Sequence, residues 1–557
     1  MRFKIFILCV LCAFCGSTYA ALNANTVWEI RTTGAQTNGG GFRWLDLRNS
    51  TYSWTLSGGG TNEYYCRTAA GGNPSLTEAK CATTDGTFNL DGNGTLGSLT
   101  AGQWDWGDND TLGYSTVYVR LDTVADPDTK PVGFVQIGNG GGYDYTQQAA
   151  AQLSLTDLAS TQASSWLTLT SATGGFTSLM VGNVVRIASG TNFTADWYEI
   201  TAYTNGNTVT VDRACGATGD ASAGSGKVGG AFLLGGTLDD EFGDIFVAGH
   251  RICIMAGTYT PGEVHNWSGA GTDTTPINIE GYGTVRADAP AQNNRPLIDM
   301  AAYNAYWYNN YSIVRNLRFT GTSSAVISTN SGNGGALINC RFHNTSVSAG
   351  QTALLTGSNR MVISCEAISD NGTAISPGSS DERLINCYIH DSVTGYNPST
   401  GGYALNCIFD TCTTGVSLAG VWTNTLISNT IYNCTTGISA TTCTVSLFIN
   451  NIISGCTTGA SWTTLTGSNI WDYNCWNNTT DVSNVTKGPN DITANPLLNA
   501  PATGDFTLQA GSPCLDAGLQ IGANQGAVGD YKFNIGVDQD DNAAAAGGGA
   551  TMYMGNF

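Results

Sequence analysis

Charge is scarce in this chain. Only 11% of its 557 residues are Asp, Glu, Lys or Arg, and no lysine occurs between Lys227 and Lys487. Histidine appears four times. The residues that build long helices in quantity, Ala, Leu, Glu and Lys, do not dominate, which argues against a helical bundle. Beyond residue 20 no apolar run is long enough for a membrane helix. Nor does any CxxC pair or His/Cys cluster occur there, which argues against a zinc site. The charge that is present is mostly acidic, 42 Asp and Glu against 22 Lys and Arg, for a formal net charge of −20. Such a field repels nucleic acid and anionic membranes. It also disfavours polyanionic substrates, unless a local basic patch or a bridging divalent cation such as calcium intervenes.

Residues 1–20, MRFKIFILCVLCAFCGSTYA, place Arg2 and Lys4 before an apolar stretch from Ile5 to Cys15. Thr18-Tyr19-Ala20 follows, with small residues where a signal peptidase cleaves. This predicts a secretory signal and an exported protein. A buried N-terminal element and a lipoprotein signal are the alternatives. Past it, Gly, Thr, Asn and Ser are abundant, while Ile, Leu, Val and aromatics remain plentiful. That composition predicts an ordered chain that is almost all β. Cys66 and Cys81 flank a Gly/Asn-rich loop and are expected to pair.

A repeat organises the C-terminal half. LINCRFHNTS, VISCEAISDNGTAI, LINCYIHDSVTGY, ALNCIFDTCTTGV, LISNTIYNCTTGI and FINNIISGCTTGA align as an apolar pair, a small polar residue, Cys or Asn, and alternation. Cys412, Cys434 and Cys456 recur at a step of 22, as do Gly415, Gly437 and Gly459. A unit of this length cannot bury its apolar face alone, so neighbours must stack. A leucine-rich repeat would need a regular Leu framework, which is absent. Period-two alternation broken by Asn and Gly suits a coil of a parallel β-helix. Stacking then predicts an inward column of Cys340, Cys365, Cys387 and Cys407, continued by Asn429 and Asn451. Ser392, Cys412, Cys434 and Cys456 form a second. Asn316, Asn339, Asn386 and Asn406 would bond along the stack at a bend. The columnar cysteines read as core fillers, with disulfides between rungs as the alternative.

These repeats resemble those of the pectate-lyase-like parallel β-helix superfamily. The likeness extends to Gly243-Asp244-Ile245-Phe246-Val247, Ala256-Gly257-Thr258-Tyr259 and Pro276-Ile277-Asn278-Ile279-Glu280-Gly281 at the first coils. At the exit it covers Asn495-Pro496-Leu497, Gly504-Asp505-Phe506 and Gly511-Ser512-Pro513-Cys514-Leu515-Asp516-Ala517-Gly518. The resemblance implies a fold, a right-handed parallel β-helix solenoid, and leaves function open among lyases, hydrolases, tailspikes, adhesins and inert surface proteins. The expected organisation is a signal at 1–20, an N-terminal β-rich domain at 21–149, a small β module with a Gly/Ser loop at 150–230, the β-helix at 231–540 and a flexible tail at 541–557. The stretch 216–230 reads as linker or loop.

Catalysis in such a fold uses outward side chains. The strand after each repeat glycine presents Ser376, Asn397, Ser417, Ser439 and Ser461, a bland face. The strand after the Asn bend is richer. Its outward positions stack as Arg318, Arg341, Glu366, Tyr388 and Ile408, and two residues on as Thr320, His343, Ile368, His390 and Asp410. With Asp391 and Arg383 nearby, this is the densest ionisable cluster in the coils. His390, Asp410, Arg341 and Glu366 are the candidate catalytic residues, His390 as general base. His343, Arg318, Tyr388, Tyr306, Trp307 and Tyr308 are candidate substrate contacts, since exposed rings stack on sugars. A solvated salt-bridged face and aromatic core packing are the competing readings.

Two functional classes follow. One is a non-catalytic secreted or surface rod, virion surfaces included, that binds a polysaccharide or cell-surface glycan. The other is a polysaccharide lyase or glycoside hydrolase working on the Arg/His/Glu/Asp face, with calcium as the cation to test. A purely structural surface role is a third reading, and homotrimerisation through the rod ends is a further expectation.

Overall fold

The computed structural model describes Leu22 and residues 26–519, apart from 44–51, 69, 72–75, 85–87, 91–93, 122–125, 128–131, 140–143, 236–244, 268, 270, 285, 287–289, 308–309, 330–333, 379–380, 400 and 419–420. The expected signal, the tail, Tyr308 and the Gly243-Asp244 pair therefore lie outside the described residues, as does the side chain of Cys81.

Each coil runs through three parallel ladders. The first holds Arg251–Met255, Ile277–Tyr282, Ser312–Arg315, Gly335–Ile338, Met361–Ile363, Arg383–Ile385 and Gly402–Leu405. The second is an 11-stranded sheet from Thr258–Tyr259 to Ile492–Thr493. The third includes Ala305–Trp307, Ala325–Ser328, Thr352–Thr356, Thr373–Pro377, Thr394–Tyr396 and Thr414–Leu418. In the last coils the first and third ladders merge, as Thr436–Ile449 pairs with Thr458–Asp472. The strands stack as a β-solenoid.

The bend between first and second ladders needs a left-handed residue. Asn316, Asn339, Asn386 and Asn406 all supply one, with φ between 51° and 57°. Asn tolerates that region better than most residues. Their amides bond along the stack, Asn339 Nδ2 to Asn316 Oδ1 at 2.7 Å and Asn406 Nδ2 to Asn386 Oδ1 at 3.2 Å.

Both expected columns lie inside. Cys340, Cys365, Cys387 and Cys407 are buried among Phe319, Phe342, Leu337, Val362, Ile389 and Phe409. Below Cys407 the thiols give way to an amide ladder. Asn429 Oδ1 accepts from Cys407 N at 2.8 Å, Asn451 Oδ1 from Asn429 N at 3.0 Å, and Asn474 Oδ1 from Asn451 N at 3.0 Å. Asp491 closes it, accepting from Asn474 N at 2.8 Å and Trp476 Nε1 at 2.8 Å. The repeat glycine is set by close approach, since a Cβ on Gly437 would stand 2.4 Å from the Gly459 carbonyl oxygen.

Two expectations about organisation are corrected. The N-terminal segment is not wholly separate. Thr26–Ile30 adds in parallel to Arg251–Met255 and so begins the first ladder. An open solenoid end would bare its core and its edge, and here Trp28, wedged against Phe232, Phe246 and His250, closes it. A four-stranded antiparallel sheet, Tyr52–Leu56, Tyr64–Thr68, Gln103–Gly107 and Thr116–Arg120, has its own core around Trp54, Cys66 and Trp104. The second correction concerns 216–230. Ala221–Val228 is a strand, and it closes a six-stranded barrel with Leu153–Ser160, Thr168–Ser171, Thr208–Val211, Asp196–Asn205 and Val184–Thr191. Its glycines are required by space. A Cβ on Gly226 would meet Leu158 Cδ1 at 2.6 Å, and one on Gly224 would meet Phe193 Cε2 at 2.5 Å.

Candidate functional site

The register of the second ladder fixes the candidate residues. Arg318 neighbours Arg341, Arg341 neighbours Glu366, Glu366 neighbours Tyr388, and Tyr388 neighbours Ile408. Thr320, His343, Ile368, His390 and Asp410 follow in the same register two residues on. Both columns point outwards because Phe319, Phe342, Ala367, Ile389 and Phe409 between them fill the core.

Glu366 is the hub. It is only 6% exposed. Its Oε1 faces His390 Nε2 at 3.0 Å and Arg341 Nε at 3.3 Å. The Arg341 contact is an ion pair without hydrogen-bond alignment. Gln292 Nε2 donates to Oε2. His390 Nδ1 meets Asp391 Oδ2 at 2.8 Å. Both imidazole nitrogens thus face carboxylate oxygens. Carboxylate oxygens accept hydrogen bonds, so this geometry suits a ring protonated on both nitrogens. Burial opposes that charge, but the bonds and charges of Glu366 and Asp391 outweigh it and hold the imidazole above its ordinary range.

Asp410, rung neighbour of His390, is bonded elsewhere. Tyr388 donates its hydroxyl to Asp410 Oδ2 at 3.1 Å, and Thr411 Oγ1 donates to Oδ1 at 2.7 Å. Burial raises the Asp410 carboxyl above the usual range. Burial and then the Asp410 charge raise the Tyr388 hydroxyl. The Tyr388 ring stacks on His390 with centroids 4.1 Å apart. His343 pairs with Asp370 at 2.9 Å. Arg318 Nε donates to the Arg295 carbonyl at 3.1 Å, and Arg295 itself grips the Asn339 carbonyl and amide oxygens, each at 2.7 Å.

One face therefore gathers His390, Asp410, Arg341, Glu366, His343, Arg318 and Tyr388. The remaining candidates fall elsewhere. Arg383 stands on the first ladder. Trp307 is 1% exposed and stacks on Trp267 at 4.5 Å inside the core. Alternation along Ala305-Tyr306-Trp307 turns that ring inwards, so it offers no face to a sugar. Tyr306, on the same third-ladder strand, is half-buried, and its hydroxyl accepts from Asn304 Nδ2 at 2.7 Å.

A family model described as "Periplasmic copper-binding protein (NosD)" matches residues 396–497, the stretch of most regular coils. The chain has a parallel β-helix fold. The chain is similar to a solved pectate lyase, at 15% identity and TM-score 0.33, over 51% of this chain and 86% of that one. It is similar to a PL6 polysaccharide lyase from Pseudopedobacter saltans at 14% identity and TM-score 0.30, over 40% and 63%. A GH87 α-1,3-glucanase catalytic domain gives 12% identity and TM-score 0.24, over 62% and 89%. No curated protein matches the chain.

The β-helix holds parts of this face that sequence reasoning missed. Gln292 and Arg295 come from a loop that carries no repeat signal. Phe506 comes from the exit hairpin Leu498–Ala500/Asp505–Leu508, and its ring centroid lies 6.2 Å from that of Tyr388 and 5.8 Å from that of Tyr432. Its Gly504-Asp505-Phe506 motif signalled an exit but not where the chain would go. Among the described residues, no group of three His, Cys, Asp or Glu is arranged to hold a metal ion, so no step is derived through copper. No helix among them is long and apolar enough to cross a membrane.

Proposed function

We propose that this protein is an exported β-helix rod that holds a polysaccharide or cell-surface glycan against its second ladder without cleaving it. His390 carries the reading. A general base needs a free lone pair, and both of its ring nitrogens are occupied by Glu366 and Asp391. Arg341 and Arg318 offer local positive charge to acidic sugars despite the acidic whole. Calcium would bridge further carboxylates of such a sugar to the protein, and rod-end contacts would assemble a trimer.

Asp410 favours a second reading, a lyase or hydrolase. Its carboxyl is raised by burial and touches the Tyr388 hydroxyl, which sets an acid beside a second proton donor. Incubation with a panel of acidic and neutral polysaccharides separates the two, with and without calcium. Retention on one polysaccharide resin with neither new reducing ends nor unsaturated product supports the binding rod. Cleavage abolished by Asp410→Asn overturns it. Arg341→Ala should weaken retention of an acidic sugar roughly tenfold, the usual scale for a charge-assisted contact. Light scattering of the full chain tests the trimer.

A further inference from the structure

The outward column that bears Arg341, Glu366 and Tyr388 changes character at Ile408. Its next members are Thr430, Ile452, Cys475 and Ile492. A C-terminal strap covers this stretch. Leu498 and Phe506 pack with Ile408, while Cys514 packs with Ile452 and Cys475 beside Ile492 and Leu508.

Cys475 and Cys514 are both fully buried, and their thiol groups stand within hydrogen-bond reach of each other. The surroundings hold each in place. Cys475 Sγ donates to the Ala494 carbonyl at 3.4 Å. Cys514 N donates to Ser512 Oγ at 3.1 Å, and that hydroxyl donates to the Pro496 carbonyl at 2.6 Å. Past the pair, the Asn450 amide clamps Leu519 N at 2.8 Å and O at 2.9 Å.

We propose that Cys475 and Cys514 form a disulfide that staples the strap to the last coils and fixes Phe506 as a wall of the candidate site. The two S–H bonds break and one S–S bond forms. The pair gives up two protons and two electrons to a disulfide oxidant, whose own S–S bond is reduced to two thiols. The staple does not depend on what the face binds.

The columnar cysteines are not equivalent. Cys340, Cys365, Cys387 and Cys407, and likewise Cys412, Cys434 and Cys456, point in the same direction from consecutive rungs. Their neighbouring thiols also come within hydrogen-bond reach, but their Cβ atoms are spaced by the rung repeat of about 4.8 Å, beyond the roughly 3.5–4.5 Å that a disulfide spans. Cys514 instead reaches Cys475 from a separate segment lying across the sheet, free of that spacing.

The test uses the full chain equilibrated with oxidised glutathione, alkylated under denaturing conditions, digested and weighed. A linked Cys475–Cys514 peptide, with the columnar cysteines alkylated, is expected. Recovery of both peptides singly alkylated, or linked to other partners, overturns the staple. Limited proteolysis gives a second readout. Oxidation should slow cleavage within residues 496–519 on the order of a hundredfold, as closing a loop of this size suppresses local opening. Cys514→Ser should remove the effect of the oxidant. If that variant does not fold, the reduced and oxidised wild-type rates decide alone, and equal rates refute the proposal.

Discussion

At the scale of single residues, His390 stands between two carboxylates. The sequence set it beside Asp410 as a candidate base, and the ring bonds instead to Glu366 and Asp391, which favour its charged form. Its folded pKa lies above the unfolded value near 6.5. The stability it lends is therefore complete below the unfolded value and lost as pH rises through the folded one. NMR titration of the His390 ring should give a midpoint above 6.5, and Glu366→Gln should lower it. A wild-type midpoint at or below 6.5 would refute this account of the face. Asp391, though 63% exposed in its side chain, adds to the effect of buried Glu366. Its part was hidden in the sequence because adjacent residues ordinarily diverge on a strand. Asp391 leaves the strand in a left-handed turn, φ 48°, directly after His390.

At the scale of the element, the inward columns carry the coil. Asn451 accepts from Asn429 N and Nδ2 and donates to the Leu426 carbonyl. Asn451→Ala should strand these buried groups and cost roughly 2–5 kcal/mol, the sum of two or three unmet hydrogen bonds, read by urea unfolding. Gly437→Ala should cost about 1–3 kcal/mol, since its Cβ would press the Gly459 carbonyl and overpacking a tight stack has that scale. Both columns were legible because every rung repeats the same demand at the same position. The barrel strand Ala221–Val228 was not. Its glycines read as loop from composition, whereas their small size is what lets the strand pass Leu158 and Phe193.

At the scale of the molecule, the first and last coils are held by different chemistry. At the N-terminal end Glu29, Arg31, Asp144, Tyr282 and Arg286 form a buried network. Arg286 Nε donates to Glu29 Oε2 at 2.6 Å, and its other nitrogens reach Asp144 and Thr146, each at 2.8 Å. Three distant segments meet at that guanidinium. Arg286→Ala takes this cation from buried Asp144 and leaves Glu29 with Arg31, and breaking a buried pair in this way costs about 3–5 kcal/mol. A lower midpoint of thermal unfolding should report it, with early proteolysis of the first coils. Towards the other end the strap lies across the outer face of the second ladder, where it covers Ile408 and Ile452 and supplies the wall of the candidate site.

The coil can be read from the residues alone. Local alternation, the left-handed Asn bend and the close-packed glycine act within one repeat and its neighbour, so period and side-chain type suffice to reveal them. The residues also show which side chains share the outward face, because register follows from the repeat. Tertiary structure decided what those side chains do. The Gln292 contact to Glu366, the inward turn of Trp307, the docking of Thr26–Ile30 and the meeting of Cys514 with Cys475 all depend on segments without a repeat. Where such segments land is set by long-range packing, and no periodicity encodes it.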